Sequence, residues 1–285
     1  MKKILITGGS GFLGRDLATK LSSDYEVILG SRNNGLNRKA QEITNCEAIP
    51  LDVSSLESVK DCFLRYSPNI VIHAAATKYV DLSENQPFEC IDVNVLGSEN
   101  IARVSIESNV EKVVGISTDK TAPPIGNIYG YSKAIMERMF CSLDGVGNTK
   151  ISCVRFGNIA WSTGSVFPIW KSMTESSGLI ESTGPDMRRF FFSVDEASKL
   201  VLRCMDNFDL LHGKILSKVM KSAQISDLLD IWCELFDSTW TKVDPRPGDK
   251  EDEYLIGILE NKNTFIKELD EIKHFIIDFN KLAKS

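Results

Sequence analysis

The chain has 285 residues, 42% of them hydrophobic and 25% charged, with 33 Lys and Arg against 39 Asp and Glu for a formal net charge of -6. That length buries a full core, and the absence of any basic block that would release counterions from a phosphate backbone argues against nonspecific binding to nucleic acid, so none is expected as a partner. Seven cysteines without Cys-x-x-Cys spacing fit a reducing cytoplasm better than a disulfide framework, no His, Cys and carboxylate cluster has metal-ligand spacing, and no apolar run approaches a membrane span.

Short apolar runs at residues 3–7, 26–30, 70–74, 113–117 and 151–156 are predicted as buried strands, with amphipathic helices at 11–21, 56–66, 87–108 and 129–143. Near-continuous apolar strands that alternate with helices specify an α/β fold, a doubly wound parallel sheet of Rossmann type. Between the first strand and the first helix stand Thr7, Gly8, Ser10, Gly11, Phe12, Leu13 and Gly14. Glycines there permit a tight turn and bring a pyrophosphate close to a helix N-terminus, whose free N–H groups and dipole favour an anion. A site that prefers NAD places an acidic residue at the end of the second strand. This chain has Ser31 and Arg32 there. A hydroxyl and a cation suit a 2′-phosphate, so the expected cofactor is NADP, although Arg32 also fits a solvated loop. Asp52 and Val53 are expected to flank the adenine, and Ala74, Ala75 and Ala76 to leave room beside the cofactor.

The densest chemistry follows the fourth of these strands: Thr118, Asp119 and Lys120, then Tyr129-x-x-x-Lys133. One helical turn separates Tyr129 from Lys133, so both point to one face, where the ammonium is expected to lower the phenol pKa and make Tyr129 a proton acceptor. Hydride removal from an alcohol needs such a base. Asp119 and Lys120 add a second acid/base pair, which elimination of water requires and plain dehydrogenation does not. Taken alone, a Tyr-x-x-x-Lys spacing also arises by chance.

After residue 155 the rhythm breaks. Residues 157–189, rich in Gly, Ser, Thr and Pro, are expected to form loops over a site, while a helix at 194–205 and a strand at 213–219 return to the sheet. Further helices are expected at 226–236 and 263–284. The organisation inferred is an NADP-binding Rossmann domain from 1–157 and 190–220, with a smaller substrate-binding region from 158–189 and 221–285.

The glycine loop, Tyr129, Lys133 and the sheet rhythm together resemble an extended short-chain dehydrogenase/reductase. Lys78-Tyr79-Val80, Glu84-Asn85-Gln86-Pro87, Asn94-Val95-Leu96-Gly97, Ser117-Thr118-Asp119-Lys120, Met187-Arg188-Arg189-Phe190 and Arg246-Pro247-Gly248-Asp249-Lys250 are similar to the polysaccharide-biosynthesis branch, in particular to UDP-N-acetylglucosamine 4,6-dehydratases. The resemblance covers residues 1 to about 255. It implies a soluble cytoplasmic homo-oligomer that acts on a UDP-linked hexosamine. Thr118, Asp119, Lys120, Tyr129 and Lys133 would be catalytic, and Tyr129 and Lys133 would also contact the cofactor. Tyr129 would take the proton of the 4-hydroxyl, Lys120 the proton at C5, its pKa depressed by Lys133 and burial, and Asp119 would protonate the departing 6-hydroxyl. Lys78, Asn158, Lys171, Arg189 and Arg246 are the candidates for holding the sugar, diphosphate and uridine; taken singly, each also fits a solvated charge or a loop cap. Two departures stand out: the 121–128 loop carries an additional residue, and Arg188 stands where the branch has Thr. A 4-epimerase or NADPH-dependent 4-ketoreductase would share every cofactor residue, and a non-catalytic NADP(H)-sensing regulator would not need Thr118, Tyr129 and Lys133 at all.

Overall fold

The computed structural model describes residues 1–253; the helix expected at 263–284 lies outside them. The first half runs β1 (Lys3–Thr7), α1 (Phe12–Leu21), β2 (Glu26–Ser31), α2 (Asn34–Thr44), β3 (Glu47–Pro50), α3 (Leu56–Tyr66), β4 (Ile70–His73), α4 (Val80–Asn85) and α5 (Pro87–Ile91). A π-helical turn, Asp92–Leu96, leads into α6 (Gly97–Glu107), then β5 (Lys112–Thr118), a 3-10 turn at Asp119–Thr121, α7 (Ile128–Leu143) and β6 (Lys150–Phe156). The remainder is β7 (Asn158–Ile159), α8 (Val166–Ser177), β8 (Leu179–Ser182), β9 (Arg188–Phe192), α9 (Val194–Asp206), α10 (Phe208–Leu211), β10 (Ile215–Ser217), β11 (Ser222–Gln224), α11 (Ile225–Phe236) and β12 (Thr239–Lys242).

Seven strands form one parallel sheet in the order β10-β6-β5-β4-β1-β2-β3. Strand alternation assigns the faces. Ile4, Ile6, Ile72 and Val114 pack with residues of α1 and α9, whereas Leu5, Val71 and Val113 pack with residues of α3, α6 and α7. Both faces are therefore covered, which is why the strands read as unbroken apolar runs. The chain order reverses between β1 and β4, and the crevice at the carboxyl ends of those strands is where such sheets bind ligands.

The 157–189 stretch is more regular than expected: it holds β7, α8, β8 and the start of β9. Its glycines lie at the boundaries, Gly164 before α8 and Gly178 as the left-handed C-cap at φ +69°, so the composition marks ends rather than a loop. α8 contributes Phe167 and Trp170 to a third core with Trp161, Phe191, Leu228 and Trp232. Phe167 stacks on Trp232 at 6.1 Å. α2 was not anticipated by periodicity because it buries only Asn37, Ala40 and Thr44.

Candidate active site

A cleft of about 540 Å³ opens above β1 and β4. Its floor is the glycine turn. The amides of Gly8 and Gly9 both donate to the Gly30 carbonyl, at 2.7 and 3.2 Å, which draws the turn down onto β2. A Cβ on Gly8, at φ +69°, would lie 2.8 Å from the Ala74 carbonyl carbon, and one on Gly14 would lie 2.6 Å from Gly9 Cα. The turn thus admits no side chain at either position. α1 starts at Gly11 with no side-chain cap, which leaves its first amides free for an anion. Together these features fit the pyrophosphate of a dinucleotide.

Of the residues expected around the cofactor, Gly8, Ser10, Gly11, Phe12, Leu13, Gly14, Ser31, Arg32, Val53, Ala74, Ala75, Ala76, Tyr129 and Lys133 line the cleft. Thr7 lies beneath it. Its hydroxyl receives the Ala75 amide at 3.2 Å and meets His73 Nδ1 at 2.8 Å, while His73 Nε2 meets Ser98 at 3.0 Å. Burial, reinforced by Lys133, lowers the His73 pKa to about 3, so this is a neutral core histidine. Asp52 does not line the cleft; its Oδ1 accepts from Ser54 N at 3.0 Å and Ser54 Oγ at 2.7 Å. Arg32 is half exposed, and its guanidinium pairs with Glu89 at 3.0 Å.

The residues expected to act as acids and bases converge on one wall. Asn127 caps α7 by accepting from the Gly130 amide at 2.7 Å, which presents Tyr129 and Lys133 to the cleft from the first turns. The helix is tied to the 3-10 turn from below: Glu137 pairs with Arg155 of β6 at 2.7 Å and accepts from Thr121 at 3.3 Å. Thr118 ends β5 and donates to Asp119 Oδ1 at 3.0 Å; Lys120 Nζ reaches the same oxygen at 3.0 Å. Asp119 is fully buried, and its Oδ2 makes no hydrogen bond among the described residues.

Two electrostatic expectations need correction. Burial pushes the Tyr129 phenol up to about 12, and the cation that opposes this most is Lys120, not Lys133; a hydrogen bond with Thr118 acts in the same direction. Burial alone would lower Lys120, but Asp119 and then Glu253 outweigh it and raise its pKa to about 12. The depressed pKa falls to Lys133, brought to about 8 by burial, with Met136 Sδ at 3.1 Å from its Nζ.

Lys78 and Asn158, expected at the substrate, do line the cleft. Burial lowers the Lys78 pKa, and its Nζ lies 3.5 Å from Ser162 Oγ; Asn158 donates to the Phe190 carbonyl at 3.0 Å. Lys171, Arg189 and Arg246 do not line it. Lys171 faces Glu175 along α8 at 4.0 Å, Arg246 is exposed, and Arg189 donates to the carbonyls of Lys250 at 2.6 Å and Glu251 at 3.1 Å. Sequence reasoning missed Glu253, buried beside Lys120 at 3.8 Å, and Tyr79, whose ring lies against Gly164. Tyr79 stands within the Lys78-Tyr79-Val80 motif and Glu253 three residues beyond Lys250, but only the folded chain brings them to the site.

Residues 4–274 match the family described as polysaccharide biosynthesis protein. An uncharacterized membrane protein of Methanocaldococcus jannaschii is 33% identical over 99% of the chain and 89% of its own length. The capsular polysaccharide biosynthesis protein CapD of Staphylococcus aureus is 37% identical over 71% of the chain, which spans only 35% of that protein. The inverting UDP-N-acetylglucosamine 4,6-dehydratase of Campylobacter jejuni is 32% identical over 80% of the chain and 70% of the relative. Among solved structures, Pen from Bacillus thuringiensis superposes with a TM-score of 0.91 at 24% identity, covering 97% of both chains. The UDP-glucose 4-epimerase of Thermus thermophilus in complex with NAD gives 0.79 at 20% identity, covering 98% of this chain and 99% of that one. These two likenesses speak for the fold. No described helix is long and apolar enough to cross a membrane.

Proposed function

The chain belongs to the polysaccharide biosynthesis protein family of extended short-chain dehydrogenase/reductases, and from that premise we propose that it is an NADP-dependent nucleotide-sugar 4,6-dehydratase acting on UDP-N-acetylglucosamine or a close relative. The observation that carries this reading is the Asp119–Lys120 pair, in contact at 3.0 Å directly beside Thr118. A dinucleotide bound in the cleft would supply the hydride acceptor for C4, the donor for C6 and a ring charge that favours the phenolate. Tyr129 takes the 4-hydroxyl proton, with Thr118 aligning the oxygen. The ketone acidifies C5. Lys120, once its proton has passed to Asp119, takes the C5 proton; Asp119 gives a proton to the departing 6-hydroxyl, the C6–O bond breaks and water leaves. Lys120 then returns a proton to C5. Over the cycle the proton gained by Tyr129 replaces the one Asp119 lost to water, so the protein ends as it began.

Arg32 supports NADP: β2 ends in a hydroxyl and a cation with no acidic residue, and the exposed pair of Arg32 with Glu89 holds it by only about 0–1 kcal/mol. Lys78 and Asn158 are proposed at the sugar, with residues 158–189 and the chain beyond 221 forming the nucleotide-sugar region. Exposed Phe88, at 82%, and Tyr131, at 55%, support assembly as a homo-oligomer. One observation favours a second reading: with its pKa at about 12, Lys120 rests as an ammonium, and a 4-epimerase would need no base there. Purified protein incubated with UDP-N-acetylglucosamine and no added cofactor decides between them by mass spectrometry. The dehydratase gives a product lighter by one water, and C4 deuterium reappears at C6; a product of unchanged mass refutes the assignment.

A further inference from the structure

We propose that Glu253 is a positioning residue of the elimination wall, a second buried carboxylate that holds the Lys120 ammonium jointly with Asp119 and governs where their shared proton rests. The inference builds on the dehydratase reading and extends it to a residue that reading does not use. Glu253 is 1% exposed. Its Oε1 lies 3.8 Å from Lys120 Nζ and its Oε2 3.9 Å from Lys250 Nζ. Both distances are ion-pair contacts too long for hydrogen bonds, and Oε2 has no hydrogen-bond partner among the described residues.

A carboxylate this deeply buried and this poorly bonded is costly to keep. Its location is nevertheless fixed by five contacts that hold residues 246–253 as a strap. Arg189 donates to the carbonyls of Lys250 and Glu251 at 2.6 and 3.1 Å, and the Arg188 amide donates to Glu251 at 2.9 Å. From the other side Asn127 donates to the Gly248 carbonyl at 3.0 Å, and Lys250 Nζ to that of Pro124 at 2.5 Å. The strap therefore clamps both the 121–128 loop and the N-cap of α7, and its end delivers Glu253 to Lys120.

The groups facing Lys120 are Asp119, Glu253, Arg189 and Tyr129, and those facing Glu253 are Lys120, Asp119, Arg189 and Lys250. Two carboxylates around one ammonium draw the proton onto nitrogen. With Glu253 charged, the pair rests as carboxylate and ammonium, which keeps a proton on Lys120 for return to C5; without it, the carboxyl and free-amine form gains weight.

Glu253→Gln, nearly isosteric, separates this role from a structural one. Acetic anhydride labelling of Lys120 in the full chain, followed by peptide mass spectrometry across pH, reports the free amine without any turnover. We expect the labelling onset to move about 1 to 3 pH units lower in the variant, and the acid limb of water loss to follow it. If Glu253→Gln does not fold, Glu253→Asp, which withdraws the charge by one methylene, should give a smaller shift of the same sign. An unchanged onset overturns the proposal. If the wild type releases no water at all, the dehydratase reading falls, while the labelling shift still decides the role of Glu253.

Discussion

Lys133 should be a liability to the fold that supplies it. It is 2% exposed, and burial takes its pKa from 10.5 to about 8. At about 1.4 kcal/mol per pH unit, that depression amounts to about 3 kcal/mol withheld from stability at neutral pH. The sign follows from proton uptake. Between about pH 8 and 10.5 the unfolded chain keeps a proton that the folded chain has released, so stability due to this group rises with pH through that window and its penalty is greatest below it. Lys133→Met retains the length and packing of the stem. The variant should lose C4 oxidation yet be more stable than wild type by about 3 kcal/mol at pH 7, and the gap should shrink below about 1 kcal/mol by pH 10. Urea unfolding of both proteins, taken as a difference so that other titrating groups cancel, measures it. A variant no more stable at pH 7, or a gap that does not close with pH, refutes the argument.

Arg32→Ala should narrow the preference for NADP over NAD; equal affinities for both cofactors in calorimetry, unchanged in the variant, would remove Arg32 from the cofactor site. Gly164→Ala places a Cβ 2.3 Å from Tyr79 Cε1 at a left-handed φ of +76°, so we expect a loss of about 1 kcal/mol in stability and a raised KM for the nucleotide sugar, read by thermal melts and initial rates. Glu137→Ala removes the buried carboxylate paired with Arg155 and should cost about 3–5 kcal/mol; a denaturant midpoint close to wild type would show that the pair does not anchor α7.

The sheet was legible because its strands are buried on both faces, and each apolar run of the sequence coincides with one of them to within a residue or two. The glycine turn was legible because only glycine meets its close approaches. Polarity misled where it coexists with order: α2 hides behind a mostly polar surface, and α8 lies between two glycine-marked boundaries that read as loop. Charges were harder. Spacing placed Tyr129 and Lys133 on one face correctly, but their proton affinities depend on burial and, for Tyr129, on Lys120 and Thr118, which spacing does not reveal. Glu253 follows Asp249, Glu251 and Asp252, a run that resembles solvated surface, and only long-range contacts bury it.

The strap also imposes an order on assembly during synthesis. N-terminal segments fold first as a chain emerges, and the seven-stranded sheet is complete once β10 closes at Ser217. Thr118, Asp119, Tyr129 and Lys133 belong to that earlier unit; the residues that clamp the 121–128 loop come only with Gly248, Lys250 and Glu253. A growing chain therefore acquires its glycine turn before the wall around Lys120 is finished, and in the interval Lys120 is held by one carboxylate instead of two.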